Sequence, residues 1–363
     1  MRRRLTVLVV VTVSATTLWV PARAGICPSG WAKVDVPVAG SLYAAASISS
    51  DDVWVAGFDD DPRDAVAAHW DGSEWSDVPV VVDSGSQTDM IRDMDSIASD
   101  DVWFVGGYTE LGAGTFRALV LRWTGSDFEQ IPIDAGQDPS FYGVEALASD
   151  DVWAVGTYWP GSGFHQRGLA AHWDGVEWTL LPIPHRPGTD RMLWDVAAVA
   201  SDDVWAVGVK YDRGQRPFIV HWDGTTWSTV KGADVGTEQA GLFSVDVAGD
   251  AIVAAGYRND GRRALIEAWT GSSWVRQPVP KVGVYAGLQA VDGSSSDRIW
   301  AVGYSAEGPL ALRWDGASWT WDPTAQTSRS FVLEAVATEP LGEVVAAGRR
   351  TTSPYVVTRC DAA

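Results

Sequence analysis

The chain has 363 residues, 46% of them apolar, and carries a formal net charge of −20 at pH 7. This acid excess argues against binding to a nucleic-acid backbone, which requires basic grooves, and against adhesion to an anionic membrane surface. The chain is longer than one hydrophobic core usually allows, unless it is built from repeats that each add a layer of core.

The first segment has the features of an export signal. Three arginines at positions 2–4 precede an apolar run over residues 5–20, and Ala-Arg-Ala at 22–24 gives the small-x-small pattern of a cleavage site. The run is short for a membrane span, which needs about 20 residues. We therefore predict a signal peptide over residues 1–24. The mature chain, 25–363, is expected to be secreted, outside the cell or its envelope, without membrane attachment.

One sequence unit recurs seven times in the mature chain, at intervals of about 45 to 52 residues. Its clearest copy reads ASDDVWAVG from Ala148 and then LAAHWDGVEWTLLPIP from Leu169. Each copy has a landmark residue that is followed three positions later by glycine. The landmarks are Trp54, Trp103, Trp153, Trp205, Val253, Trp300 and Val345. A period of this length indicates stacked supersecondary units, none of which can bury its apolar face alone.

Each unit predicts the same four strands, which we name A to D. In the third unit, strand A covers 144–148 and strand B covers 152–156, joined by a Ser-Asp-Asp turn. After a variable loop, strand C covers 169–173, and an Asp-Gly turn leads to strand D from 178 to about 182. Seven sets of four short antiparallel strands predict an all-β fold, a seven-bladed β-propeller in a single domain.

Seventeen of the 21 tryptophans occupy repeat columns in strands B, C and D. A residue required in every blade is expected to pack between blades rather than to bind sugar. His69, His172 and His221 each precede the strand C tryptophan, so they are expected to belong to the scaffold as well.

The two ends of the repeat array predict how the propeller closes. The last unit, within 331–361, stops after strand C, whereas residues 31–37 match the strand D that begins at Trp75. We therefore predict that 31–37 pairs with 354–360, so that blade 7 is shared between 27–37 and 331–361.

The only two cysteines, Cys27 and Cys360, are predicted to lie across this junction. An exported chain can oxidise them, so a Cys27–Cys360 disulfide is expected. The bond would close a loop of more than 300 residues. The chain-entropy model gives such a bond at most about 5 kcal/mol of stabilisation.

The repeat resembles the kelch repeat over nearly the whole mature chain. In that family strand B ends in glycine, strand C ends in an aromatic-Asp pair, and a tryptophan opens strand D before Leu-Pro and a basic residue. The same order is kept here by Val155-Gly156, Trp173-Asp174, Trp178, Leu181-Pro182 and Arg186. The chain departs from the family in its single glycine, except at Gly106-Gly107, and in a shorter C–D turn. The resemblance implies a propeller with a binding role, as in a bacterial relative of the family, and implies no reaction.

Strand order assigns the loops to two faces. The A–B and C–D turns share an acidic face, where Asp and Ser are expected to cap tight turns by accepting backbone N–H groups. The B–C and D–A loops share the opposite face, which we call the loop face. It gathers irregular arginines and aromatic residues, and binding residues concentrate on variable loops held by a rigid scaffold. Guanidinium groups suit carboxylates and sulfates, and aromatic rings suit sugars or peptide side chains.

The strongest candidate site is a patch on the loop face between blades 3 and 4, where His165 and His185 belong to no repeat column. We call this set the loop patch. Its members are Tyr158, Trp159, His165, Arg167, His185, Arg186, Asp190, Arg191, Trp194, Tyr211 and Arg213. Solvated loops without a ligand are the alternative interpretation.

A second candidate lies at the hub, in one position of strand A. We assign five polar residues to it, with Ala46 and Ala197 in the other two blades. The five are Asp95, Glu145, Asp246, Gln289 and Glu334. These side chains either hold a cation or bond the backbone and water between blades, and the second role is the expected one.

No motif for phosphate binding, metal binding or a catalytic nucleophile is found, so no cofactor, metal or catalytic residue is predicted. We therefore predict a secreted, monomeric binding module that uses its loop face to bind an extracellular protein or an anionic polysaccharide. The alternative is an extracellular carbohydrate-active enzyme, a polysaccharide lyase rather than a glycoside hydrolase, with His165, His185 or Tyr158 as the base. A purely structural surface protein is the third option.

Overall fold

The computed structural model describes residues 30–59, 64–82, 88–110, 112, 114–161, 165–324, 330–339, 342–351 and 353–360. Within these ranges the chain forms 28 strands in seven four-stranded antiparallel sheets, so the seven-bladed propeller is confirmed. The predicted signal peptide and Cys27 lie outside the described residues. In the described part of the chain, no helix has the length and apolar character needed to cross a membrane.

The strands are numbered in chain order, and strand A of each blade lines the central axis. The first strand is the outer strand of blade 7, β1 (Ala32–Val34). Blades 1 to 3 comprise β2 (Ser41–Ser49), β3 (Asp52–Phe58), β4 (Ala65–Trp70), β5 (Trp75–Asp77), β6 (Thr88–Ala98), β7 (Asp101–Thr109), β8 (Phe116–Trp123), β9 (Phe128–Gln130), β10 (Ser140–Ala148), β11 (Asp151–Tyr158), β12 (Arg167–Trp173) and β13 (Trp178–Leu181). Blades 4 to 7 comprise β14 (Arg191–Ala200), β15 (Asp203–Tyr211), β16 (Gln215–Trp222), β17 (Trp227–Val230), β18 (Ala240–Ala248), β19 (Ala251–Arg258), β20 (Arg263–Trp269), β21 (Trp274–Arg276), β22 (Gly287–Ser295), β23 (Arg298–Ser305), β24 (Gly308–Trp314), β25 (Trp319–Trp321), β26 (Phe331–Thr338), β27 (Glu343–Arg350) and β28 (Ser353–Cys360).

The chain closes as the repeat pattern predicts. β1 pairs with β28 in antiparallel register, with Lys33 opposite Val357, and completes the sheet of blade 7. The paired segment is shorter than predicted, since it covers 32–34 rather than 31–37. Trp31, just before it, is buried and meets Trp300 of blade 6 edge-on, at 5.3 Å between ring centroids. The first residues of the propeller therefore join blade 7 by backbone pairing and contact blade 6 by packing.

The strand B tryptophans pack between blades, which confirms their structural role. Trp153 is 1% exposed. Its ring lies 4.4 Å from His172 in its own blade, and 5.6 and 5.9 Å from Trp222 and Trp227 of blade 4. The apolar cluster around it combines residues of blades 3 and 4. In the five blades that have this tryptophan, it thus packs against an aromatic residue of the following blade.

The histidine column is also part of the scaffold. His172 Nε2 lies 2.8 Å from Asp151 Oδ1, at the start of strand B. The same bond recurs in blades 1 and 4, and in blade 2 Arg122 replaces the histidine and binds both carboxylate oxygens of Asp101 at 2.7 and 2.8 Å. These pairs tie strand C to the A–B turn.

The C–D turns are capped by aspartates, as expected. Asp174 Oδ1 accepts the N–H groups of Val176 and Glu177, both at 2.9 Å, and these bonds hold the pKa of Asp174 below its ordinary value. Asp71, Asp223 and Asp315 make the same pair of bonds in three further blades. On the acidic face these carboxylates therefore stabilise turns.

Candidate functional site: the mouth of the central channel

Strand A of every blade contains a β-bulge toward the loop face, where one residue has no partner in strand B. A bulge turns a side chain away from the regular alternation of the strand. The seven bulged residues, which we call the channel rim, are Tyr43, Arg92, Tyr142, Trp194, Phe243, Gln289 and Glu334. All of them line a cavity of about 490 Å³ in the centre of the propeller.

One side of the channel rim is a continuous aromatic arc. Tyr142 and Trp194 meet at 4.5 Å between ring centroids, with an interplanar angle of 61°. Trp194 and Phe243 follow at 5.7 Å, and Tyr257 of strand B backs Phe243 at 5.3 Å. Because each ring packs against the next, the arc is a preformed apolar surface at the channel mouth.

The other side of the channel rim is polar and internally bonded. Gln289 Nε2 donates to Glu334 Oε2 at 2.7 Å, and Arg349 Nε donates to Glu334 Oε1 at 3.0 Å. The Glu334 side chain is 5% exposed, and its charge is compensated by an ion pair with the partly exposed Arg349.

Arg92 separates the two sides. Its guanidinium carbon lies 5.3 Å from the ring centre of Tyr43, 5.1 Å from that of Phe58 and 5.8 Å from that of Tyr142. These cation–π contacts hold the side chain across the rim.

Below the rim, six carboxyl groups line the channel, and we call them the acidic wall. They are Asp93, Asp95, Glu145, Asp195, Asp246 and Asp292. Strand A is the free edge of each sheet, and the acidic wall supplies acceptors to the N–H groups of that edge. Asp95 Oδ2 accepts from Ala146 at 2.7 Å. Asp195 Oδ2 accepts from Val245 at 2.9 Å.

The same kind of contact recurs between successive blades from blade 2 to blade 7. Asp93 accepts from Val144, Asp292 accepts from Thr338, and Glu145 accepts from Ala198. The interpretation that the hub carboxyl groups bond the backbone between blades is therefore confirmed for Asp95 and Glu145.

Burial is the main cause of the raised pKa values in the acidic wall. It raises the pKa of Asp95 to about 6 and that of Asp195 to about 7, against the stabilising effect of the N–H donors. Burial also raises the pKa of Asp292, and burial together with repulsion between carboxylates raises those of Asp93, Glu145 and Asp246 well above their ordinary values. The channel thus concentrates carboxyl groups whose ionised form a cation would stabilise.

The sequence-based hub column is wrong in two blades. Asp95 lies opposite Trp103, and the equivalent positions in blades 6 and 7 are Asp292, opposite Trp300, and Ala337, opposite Val345. Gln289 and Glu334 belong to the channel rim instead. The residue that shares the Asp95 position precedes the strand B landmark by eight residues in six blades, as Asp95 precedes Trp103, and by seven in blade 5.

The structure brings part of the loop patch together. His165 Nδ1 lies 3.3 Å from Asp190 Oδ1, and the backbone N–H of Tyr211 donates to the Asp190 carbonyl at 2.9 Å. Arg191 Nη1 donates to the Pro184 carbonyl at 3.0 Å, and its guanidinium lies over the ring of Phe218. His165, Asp190, Arg191 and Tyr211 therefore form one cluster, in which Arg191 already has protein partners.

The other members of the loop patch are placed separately. Trp194 belongs to the channel rim, where it contacts Tyr142 and Phe243. Arg167 pairs with Tyr158 at the ends of strands C and B of blade 3. The remaining four side chains are exposed to solvent: Trp159, His185, Arg186 and Arg213. Among the described residues, no group of three or more His, Cys, Asp or Glu side chains is arranged to hold a metal ion.

Solved structures with the same fold match nearly the whole chain. A structure of YCF48 bound to D1 peptide is 15% identical, with a TM-score of 0.61, and the match covers 94% of this chain and 100% of that chain. The WD40 repeats of RRP9 are 9% identical, with a TM-score of 0.61 and coverages of 92% and 98%.

The GH74 xyloglucanase from Xanthomonas campestris is 16% identical, with a TM-score of 0.59, and the match covers 92% of this chain and 54% of that chain. At such identities these structures share the propeller fold and no more. No protein-family model and no curated protein sequence matches the chain, so the resemblance to kelch repeats stays a prediction.

Proposed function

We propose that this protein is a binding propeller that holds a segment of a protein partner on its loop face, with the channel rim at the centre of the contact. The observation that supports this most is the aromatic arc at the mouth of a cavity of about 490 Å³. Concave, mostly preformed sites with aromatic walls and a few polar groups are typical binding sites.

The loop patch extends the same surface outward. Trp194 of the channel rim and Arg191 of the loop patch lie in the same strand, β14. Beyond them Tyr211 is 41% exposed and Trp159 is 36% exposed. Rigid aromatic side chains of this kind provide much of the energy of protein interfaces. A peptide that crosses from the channel mouth toward blades 3 and 4 would contact both regions.

A protein ligand fits the loop face better than an anionic polysaccharide. Several arginines that suggested anion binding already have protein partners. Arg258 Nη1 donates to Glu238 at 2.6 Å, Arg349 pairs with Glu334, and Arg216 donates to backbone carbonyl groups. Two of the structural neighbours are a protein in complex with a peptide and a WD40 domain. A net charge of −20 favours a basic partner.

Arrays of random peptides and of glycans, probed with the purified protein, test this proposal. We expect saturable binding to a subset of peptides. Trp194→Ala should weaken it at least tenfold, since a central aromatic anchor is worth about 2 kcal/mol or more. Trp321→Ala is the matched control, because Trp321 is an exposed tryptophan on the outer strand of blade 6. Binding to uronate polysaccharides alone, or equal effects of the two variants, would contradict the proposal.

We also propose that the protein is exported as a monomer and that a Cys27–Cys360 disulfide fastens the closure. The pairing of β1 with β28 supports this, because Cys360 ends the strand to which the first strand of the propeller is bound. Peptide mapping by mass spectrometry without reductant should find one linked peptide that contains both cysteines, and reduction should lower the thermal midpoint. Two free thiols in the oxidised protein would refute the bond.

A further inference from the structure

We propose that the central channel takes the ammonium group of a lysine side chain from the bound protein. This inference rests on the proposed function, since it specifies the group that the channel rim recognises. The channel combines an aromatic entrance with a carboxyl-lined interior, and these are the two kinds of surface that attract an ammonium ion.

The aromatic arc is suited to the stem of such a side chain. Tyr142, Trp194 and Phe243 come from three consecutive blades and form one continuous surface at the channel mouth. A lysine has four methylene groups, which can pack on aromatic rings while the charged end continues into the channel.

The depth of the acidic wall matches the length of lysine. Its upper tier, Asp93 and Asp195, directly follows Arg92 and Trp194 of the rim in sequence, so it lies one strand residue, about 3.3 Å, below the rim. The lower tier lies two residues further, about 10 Å below the rim. The lower tier consists of Asp95, Glu145, Asp246 and Asp292. An extended lysine side chain is about 6 Å long and therefore reaches between the two tiers.

The groups that line the channel favour a cation over an anion. Six carboxyl groups of the acidic wall face the cavity, whereas its lining contains two arginines. One of these, Arg349, is paired with Glu334, and the other, Arg92, lies over aromatic rings at the rim. An ammonium ion between the two tiers would relieve the repulsion between carboxylates that the fold places together.

One buried polar atom of the acidic wall independently indicates a missing donor. Among the described residues, Oδ2 of Asp246 has no hydrogen-bond partner and is shielded from solvent. Asp246 lines the cavity below the aromatic arc. An unsatisfied buried acceptor is costly in a folded protein. A donor that enters the channel can satisfy Asp246 after a small rotation of its carboxyl group.

Lysine fits better than arginine because the ammonium group is compact and its three donors can be shared among several carboxyl groups. The planar guanidinium is suited instead to two-point contact with one carboxylate.

The direct test uses two capped tripeptides, acetyl-Gly-Lys-Gly-amide and acetyl-Gly-norleucine-Gly-amide, titrated into the full mature protein by calorimetry at pH 7.5. The second peptide keeps the apolar stem and lacks the charge. We expect saturable binding of the lysine peptide and at least tenfold weaker binding of the norleucine peptide. Equal binding of both, or no binding of the lysine peptide, overturns the inference.

Variants place the binding in the channel. Glu145→Gln removes one ionisable carboxyl group of the acidic wall and keeps an acceptor for the Ala198 N–H, so the variant is expected to fold and to bind the lysine peptide about threefold to tenfold more weakly. Glu177→Gln makes the same change at an exposed C–D turn on the acidic face and should leave binding unchanged. Equal losses in both variants would show non-specific attraction to a negative protein, which overturns the inference.

The peptide array separates this inference from the proposed function. If array peptides bind and replacement of each lysine by norleucine does not weaken them, the channel does not read lysine, although the propeller still binds protein. If no array peptide binds and the lysine tripeptide does, the ammonium site stands and the protein-binding function fails.

Discussion

Trp153→Ala is expected to lower the free energy of unfolding by about 3–5 kcal/mol, the usual cost of truncating a buried tryptophan. Trp153 is 1% exposed, and its ring fills the space between blades 3 and 4. The substitution leaves a cavity at that junction and removes the bond from its indole N–H to Asp151, 3.1 Å long. Since native stabilities are about 5–15 kcal/mol, this is a large fraction of the total.

Chemical denaturation followed by circular dichroism measures this effect, with Trp321→Ala as the control. Trp321 is 49% exposed on an outer strand, so its removal should change the stability by no more than about 0.5 kcal/mol. Similar losses in the two variants would mean that the tryptophan column does not hold the blades together.

The protein should be most stable in mild acid, at about pH 4–5, and its thermal midpoint should fall by about 5–10 °C between pH 5 and pH 8. The pKa values of Asp95 and Asp195 are raised to about 6 and about 7 in the folded state. A carboxyl group with a raised pKa holds its proton more tightly when folded. Its contribution is therefore present in acid and is lost as the pH rises through 6 and 7.

The loss of stability at low pH has a different cause. Hydrogen bonds within the C–D turns lower the pKa values of Asp71 and Asp223 to about 2. The stability that these caps contribute is present above about pH 4 and is lost as the pH falls toward 2. The stability of the protein is therefore expected to be highest between these two pH ranges.

Glu145→Gln tests whether the acidic wall causes the loss of stability between pH 5 and pH 8. The variant removes one ionisable group that Asp95 and Asp246 repel, so the thermal midpoint at pH 8 should rise by about 2–5 °C, with little change at pH 5. Glu177→Gln, on an exposed turn, should shift neither value. A midpoint that increases from pH 5 to pH 8 in the natural protein would contradict the role of the acidic wall.

Most of the fold could be predicted because the repeats are regular. The period of the Trp153 column, the Asp-Gly turns and the match between 31–37 and the strand from Trp75 indicated the blades and their closure. Strand limits were less accurate. Strand A of blade 3 begins at Ser140 rather than Val144, since its first residues precede the bulge and do not continue the regular pattern.

Trp194, Gln289 and Glu334 were singled out from the sequence, but the channel rim was missed as a set, because it is defined by a backbone irregularity and not by residue type. The sequence does contain a signal for the rim, in the spacing between the bulged residue and the strand B landmark. The bulged residue precedes the strand B landmark by eleven residues in six blades, as Tyr142 precedes Trp153, and by ten in blade 5. Asp93 and Asp195 were missed because only one strand position was compared, although residues two apart in a strand share a face.

Because of the seven bulges, the residues that face a ligand in the channel are not the residues whose backbone pairing forms the blades. Each bulge turns one side chain into the channel from a residue that has no backbone partner in strand B, so exchanging that side chain leaves the backbone pairing of strands A and B intact. Related propellers could therefore acquire new ligands by changing seven codons, and an engineer could randomise the same seven positions as a library on an unaltered framework.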